Sequence, residues 1–103
     1  MDGSLTNNDE DKTNRAEDGA RFLKVLGNPW RLRILALLVD EPKQVGELEE
    51  ALGLGQAYVS QQLARLRAEG IVAGDRNGRA VHYRVVDDRV EPLLEALGDP
   101  QNA

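Results

Sequence analysis

Apolar residues recur along this chain at two periods, and each change of period marks an element. From Asn14, a residue suited to cap a helix, Ala16, Ala20, Leu23 and Leu26 return at helical spacing with Phe22 and Val25 beside them, until Gly27-Asn28-Pro29 ends the run. Pro29 suits the first turn of a second helix, where its missing N–H costs nothing. Leu32, Ile34, Leu35, Leu38 and Val39 then make a broad apolar face, which Asp40-Glu41-Pro42 breaks. Val45, Leu48 and Leu52 define a short third helix with Glu47, Glu49 and Glu50 on its other side, and Gly53-Leu54-Gly55 makes a tight turn into a fourth. There Val59, Leu63 and Leu66 fall at i, i+4 and i+7, which puts Ala57 and Gln61 nearly opposite, flanked by Tyr58, Ser60 and Arg65. Gly70 stops the helix.

The period then shortens to two. Ile71 to Arg76 and Arg79 to Val86 alternate as strands around Asn77-Gly78, a pair that can supply the positive backbone angles of a type I′ hairpin, and Val81, Tyr83 and Val85 share one face. Helical spacing returns in Val90, Leu93, Leu94 and Leu97, with Pro92 near the start and Gly98-Asp99-Pro100 as the stop. The predicted fold is mostly α with a small β-hairpin: four helices, a two-stranded antiparallel wing and a fifth helix. Two short helices across a glycine turn, followed by a hairpin, make a winged helix-turn-helix. Residues 1–13 are acidic and without period, and are expected to form a disordered tail; residues 99–103 form a C-terminal tail.

Charge adds what periodicity cannot. The chain of 103 residues carries a net charge of -5, yet the fourth helix and hairpin hold five arginines (65, 67, 76, 79 and 84) against Glu69 and Asp75. That stretch is locally basic and the remainder strongly acidic. Segregated positive charge is the electrostatic footprint of a nucleic-acid surface. Residues 14–98 are therefore expected to form one winged-helix domain for DNA binding and dimerisation, with a core small enough to gain from pairing. With 41% apolar but only 4% aromatic residues, the core is aliphatic and no stacking box implies a cofactor. Zero cysteines exclude disulfides, thiolate metal sites and thiol redox sensing. With one histidine, no phosphate-binding glycine loop and no catalytic carboxylate pair, an enzyme is the weakest class. No apolar run approaches the roughly 18 residues of a membrane span, and the first residues are acidic rather than basic and greasy, so a cytoplasmic protein is expected.

The order of elements, with NPWRLRIL, VGELEEALGLGQAYVSQQLARLRAEGIV and the wing GRAVHYRV, resembles the ArsR/SmtB family of bacterial and archaeal transcriptional repressors over roughly residues 15–98. The resemblance implies a homodimer joined through the first and fifth helices, binding a double-stranded DNA operator with both fourth helices and releasing it on a signal. This chain departs from the pattern at two metal sites and at one helix cap. Metal-sensing members carry Cys-x-Cys at the start of the third helix, where Gln44 and Gly46 stand here. A second family site uses histidine and carboxylates on the fifth helix, whereas this helix has Asp87, Asp88, Glu91 and Glu95 nearby and no histidine, so no metal is expected. Gly55 stands where Ser is frequent, a cap weaker by a few tenths of a kcal/mol.

A recognition helix enters the major groove by its N-terminal half, which makes Gln56, Tyr58, Ser60 and Gln61 the candidates for base contacts. A bidentate glutamine–adenine contact discriminates by about 1–3 kcal/mol. Gln62 beside the core stripe either reads DNA or bonds across to the third helix. Arg65, Arg76, Arg79 and Arg84 are the candidates for phosphate contact, with Arg76 and Arg79 near the wing tip able to reach the minor groove. His82 is a candidate pH-sensitive contact or simply a strand-face histidine. Phe22, Leu23, Leu26, Leu93, Leu94 and Leu97 serve as core, as dimer interface, or as both; a two-fold operator favours a dimer with half-sites about 34 Å apart. Trp30 reads as packing. Asp87, Glu91 and Glu95 at i, i+4 and i+8 could hold a hard cation, though a solvated face is the plainer reading. The function expected is a dimeric, sequence-specific regulator, a repressor, whose effector, small molecule or protein, is not sensed by cysteine. The alternative is a winged-helix protein-interaction module with weak or no operator specificity.

Overall fold

The computed structural model describes the backbone of residues 3–98 and 100, and side chains from residue 14 onward. The elements run α1 (Gly3–Leu26), α2 (Pro29–Asp40), α3 (Val45–Leu52), α4 (Gln56–Ala68), β1 (Val72–Asn77), β2 (Ala80–Val85) and α5 (Val90–Leu97). This is the predicted winged helix-turn-helix. The first helix begins earlier than periodicity suggests: residues 3–13, expected as a disordered tail, have helical backbone, and Asn14 lies inside α1 rather than capping it. Periodicity reports burial, not helicity. Between Ser4 and Asp18 no glycine or proline interrupts the chain, and extending an existing helix costs far less than nucleating one. The expected tail at 99–103 lies, apart from Pro100, outside the described residues.

The core forms where the apolar faces of all five helices meet the foot of the wing. Ile34 and Leu35 of α2, Leu48 of α3, Val59 and Leu66 of α4 and Val90 of α5 are completely buried. Each such aliphatic side chain contributes about 1.5–3 kcal/mol. Helix ends are fixed locally. Asn28 caps α2, its Oδ1 accepting from the Trp30 and Arg31 amides at 2.9 and 3.1 Å. The Gln44 amide donates to Glu47 Oε1 at 2.9 Å at the start of α3. At the end of α4, Gly70 takes φ +73°. There the Ile71 and Gly70 amides donate to Leu66 O and Arg67 O, both at 3.0 Å. This Schellman closure sends the chain from α4 into β1.

The hairpin corrects one expectation. Asn77 pairs with Ala80, so the two loop residues are Gly78 and Arg79 rather than Asn77 and Gly78. Gly78 has φ +66°, and no described non-glycine residue has positive φ. Positive then negative φ is the sign pattern of a type II′ turn, which needs glycine only at its first central position and leaves Asn77 in the ladder. A third strand segment, invisible to periodicity, is a single residue: Lys43 pairs with the far edge of β2, its amide donating to Tyr83 O at 3.0 Å and its carbonyl accepting from Tyr83 N at 2.8 Å. The wing is thereby tied to the connection between α2 and α3. Gly74 admits the Tyr83 ring and Val81, since a Cβ there would stand 3.0 Å from Val81 Cγ1 and 3.1 Å from Tyr83 Cε1.

Candidate nucleic-acid interface

Burial of Val59, Leu63 and Leu66 rolls the opposite face of α4 outward. Gln56, Ser60, Gln61 and Arg65 are exposed and Tyr58 is half-buried. Gln62 is not part of that face. Its Oε1 accepts from Arg31 Nε at 2.9 Å while Arg31 Nη1 donates to Val25 O at 2.7 Å. The partner of Gln62 is thus α2, not the third helix, and one guanidinium joins the end of α1 to the middle of α4. Sequence periodicity placed Gln62 correctly at the edge of the stripe but could not show which helix lay across from it.

The wing presents Arg76 and Arg79 exposed at its tip. Arg84 is differently placed: its Nε donates to Asp75 Oδ2 at 2.6 Å, with both side chains about half exposed. An exposed pair of this kind adds at most about 1 kcal/mol, but it braces β2 against β1. His82 lies directly opposite Asp75 in the ladder and sets its Nε2 3.5 Å from Gln44 Nε2 at the start of α3. Between α4 and the wing runs a groove of about 390 Å³ lined by Ser60, Ala64, Arg67, Ala68 and Tyr83. Arg67 and Tyr83 were not singled out from sequence; Arg67 follows Ser60 by seven positions, two turns along the same flank, which is the signal that could have found it.

The six residues expected at a dimer seam divide. Phe22, Leu26 and Leu94 are 7%, 3% and 6% exposed and belong to the chain's own core, Leu93 is half-buried, and Leu23 and Leu97 are 56% and 60% exposed. The sequence shows an apolar stripe but not how wide a sector the fold consumes.

A model of the arsR family of bacterial regulatory proteins matches residues 28–73, which span α2 through the start of β1. The chain is 42% identical over 88 residues to a biofilm growth-associated repressor of Xylella fastidiosa, covering 85% of this chain and 77% of that one. Among solved structures, the crystal structure of NolR from Sinorhizobium fredii superposes with a TM-score of 0.77 at 40% identity, over 84% of this chain and 87% of that one. The crystal structure of the transcriptional repressor BigR from Xylella fastidiosa gives 0.74 at 42%, over 85% and 87%. The chain belongs to the ArsR family. It is a DNA-binding regulator of transcription and not an enzyme.

Within this ArsR-family fold, sequence reasoning also overlooked Arg89. Its Nε and Nη2 donate to Asp87 Oδ1 and Oδ2 at 3.0 and 2.7 Å, its Nη1 donates to Asp18 Oδ2 at 3.0 Å, and its guanidinium lies 3.9 Å from the Phe22 ring centroid. It clasps α1 to the entry of α5. The hydrogen bond from the Arg89 side chain holds the Asp87 carboxyl below the usual carboxylate range, and burial opposes this in part. Asp87 precedes α5 instead of sharing a helix face with Glu91 and Glu95, so the three do not converge on a hard cation; among the described residues no cluster of three possible metal ligands occurs. Trp30 packs under Arg33, whose guanidinium sits 4.5 Å from the ring centroid. No described helix is long and apolar enough to cross a membrane.

Proposed function

We propose that the protein is a homodimeric repressor that reads a two-fold operator with Gln56, Tyr58, Ser60 and Gln61 of each α4. Arg65 and the groove beside Ser60 and Arg67 follow the phosphate backbone, Arg76 and Arg79 reach toward the minor groove, and Arg84 divides its guanidinium between Asp75 and a phosphate. The observation that carries this reading is the union of an exposed, amide-bearing face of α4 with an arginine-tipped wing across one shared groove. Charge supports it: this is the basic part of an otherwise acidic chain, and phosphate neutralisation draws on such a surplus. The relatives named as repressors support the sign of regulation. Leu23 and Leu97 supply the seam between protomers, on α1 and α5. With no cysteine in the chain, the effector, a small molecule or a protein, is recognised without thiol chemistry.

The test is selection of bound sequences from random duplex DNA, followed by binding titrations at two salt concentrations. A two-fold motif is expected. Gln61→Ala should cost about 1–3 kcal/mol of discrimination at one base position in each half-site, and Arg79→Ala should weaken all sequences alike and reduce the salt slope by about one. If no motif emerges while a protein partner still binds both variants, the domain is an interaction module and the reading fails.

A further inference from the structure

Pro29 opens α2 and at the same time deprives α1 of a closing bond. A helix carbonyl accepts from the amide four positions on, and for Val25 that position is Pro29, which has no N–H. The carbonyls on either side find backbone partners: Lys24 O accepts from the Gly27 amide at 3.3 Å and Leu26 O from the Asn28 amide at 2.8 Å. Val25 O accepts instead from Arg31 Nη1 at 2.7 Å, and the same guanidinium donates through Nε to Gln62 Oε1 of α4 at 2.9 Å. Bonds from an ionised donor are roughly twice as strong as neutral ones. Arg84 and Arg89 spend theirs on acids, but among the described residues no carboxylate pairs with Arg31, which is half-buried. A glutamate at position 62 would hold Arg31 more strongly and would also set a negative charge on the helix that carries Gln61. Gln62 accepts without adding charge, and the positive charge of Arg31 stays uncancelled behind α4.

We propose that Arg31 is a positioning residue for operator binding: by holding Val25 O and Gln62 Oε1 at once, it fixes the rotation of α4 relative to the end of α1. Gln61 precedes Gln62 on the same turn, so any roll of α4 that breaks the bond to Gln62 re-aims Gln61 by the same angle. The last turns of α1 face two ways, with Leu23 exposed and Val25 O turned toward Arg31. In a dimer joined through α1, one guanidinium therefore also sets how the two α4 helices stand relative to each other. Small displacements of this kind matter because a recognition side chain must meet a base edge within hydrogen-bond distance. The inference rests on the reading of Gln61 as a base contact on a two-fold operator.

The test titrates the intact protein with three duplexes: the operator selected for it, the same operator with one base pair inserted between the half-sites, and random DNA of equal length. Gln62→Met keeps length and charge but accepts only weakly through sulfur, and Arg31→Lys keeps the charge but cannot span both acceptors. Each variant should lose about tenfold in operator affinity, inside the roughly 5–150-fold range of coupling between sites. Each should keep the parent's affinity for random DNA, because the phosphate-facing charge is unchanged, and should tolerate the inserted base pair better than the parent does. The double variant should be no weaker than either single one, since both changes remove one link. Circular dichroism at the titration temperature establishes that the variants are folded. Equal losses on operator and random DNA would show the bond to be merely structural. A loss with Gln62→Met but not with Arg31→Lys would make Gln62 a base contact itself, and unchanged operator affinity in both would leave Arg31 no positioning role. A parent chain that selects no two-fold motif would overturn the operator reading and this proposal together, an outcome told apart from the others because it is seen without any variant.

Discussion

Gln61 and Gln62 are neighbours of the same type with different work to do, and the difference is a matter of one hundred degrees of helix. Gln61 is exposed and makes no hydrogen bond to another described side chain, whereas Gln62 is half-buried and accepts from Arg31. Truncating Gln62 leaves a partly buried guanidinium with one donor unmet. Gln62→Ala should therefore lower stability by about 1–2 kcal/mol, the usual cost of losing a hydrogen bond to a charged group in partial shelter. Gln61→Ala should stay within about 0.5 kcal/mol, as exposed substitutions do. Thermal unfolding of the two variants checks this, and equal melting temperatures would show that the Arg31 link adds nothing. Before the fold is known, the two residues differ only in their distance from the apolar stripe; the partner that separates them comes from α2, 31 positions away in sequence.

At the scale of elements, the hairpin shows how little of a turn's geometry is written in its dipeptide. Asn77-Gly78 satisfies a type I′ turn in composition, but the register pairs Asn77 with Ala80 and asks for a positive φ at Gly78 alone. Register is set by which faces of the strands are buried, and here Tyr83 and Val81 must lie over Gly74 while Val72 enters the core. Asn77→Ala should thus be nearly neutral, while Gly78→Ala should cost about 1–2 kcal/mol for placing a Cβ in the left-handed region. Denaturant unfolding of both distinguishes the two turns, because a type I′ turn would make Asn77→Ala the costly one as well. Lys43 belongs to the same lesson. One residue pairing with the edge of β2 has no period to betray it, yet it docks the wing on the helical body.

For the molecule as a whole, the question is which apolar surface the fold keeps and which it offers. Phe22, Leu26 and Leu94 are used internally, whereas Leu23 and Leu97 are left outside on α1 and α5. In the proposed dimer these two meet the partner. A Leu23→Glu, Leu97→Glu variant should then move from dimer to monomer by light scattering at micromolar concentration while keeping its helical circular dichroism, because neither side chain holds up the core. The same substitution at Leu26 would instead be expected to unfold the chain, a charge without a partner being intolerable in a buried site. A wild-type chain that is already monomeric at that concentration would remove the dimer from the reading.

The sequence by itself determined the succession of elements, the buried face of each helix and the polar face of α4, because those follow from spacing within a single helix or strand and from glycine and proline at its ends. It also placed the positive charge, since charge is a property of residues and needs no coordinates. Only the packing of the whole chain shows that Gln62 answers to Arg31, that Arg84 leans on Asp75, that Arg89 gathers Asp18, Asp87 and the Phe22 ring, and which of the six residues expected at a seam are spent on the core. The links of Gln62 to Arg31 and of Arg89 to Asp18 join segments far apart in the chain, that of Arg84 to Asp75 depends on the strand register, and the seam is an allotment of one surface between two uses. Local period carries no information about any of these, because it describes a residue's angle about its own axis and not what stands opposite.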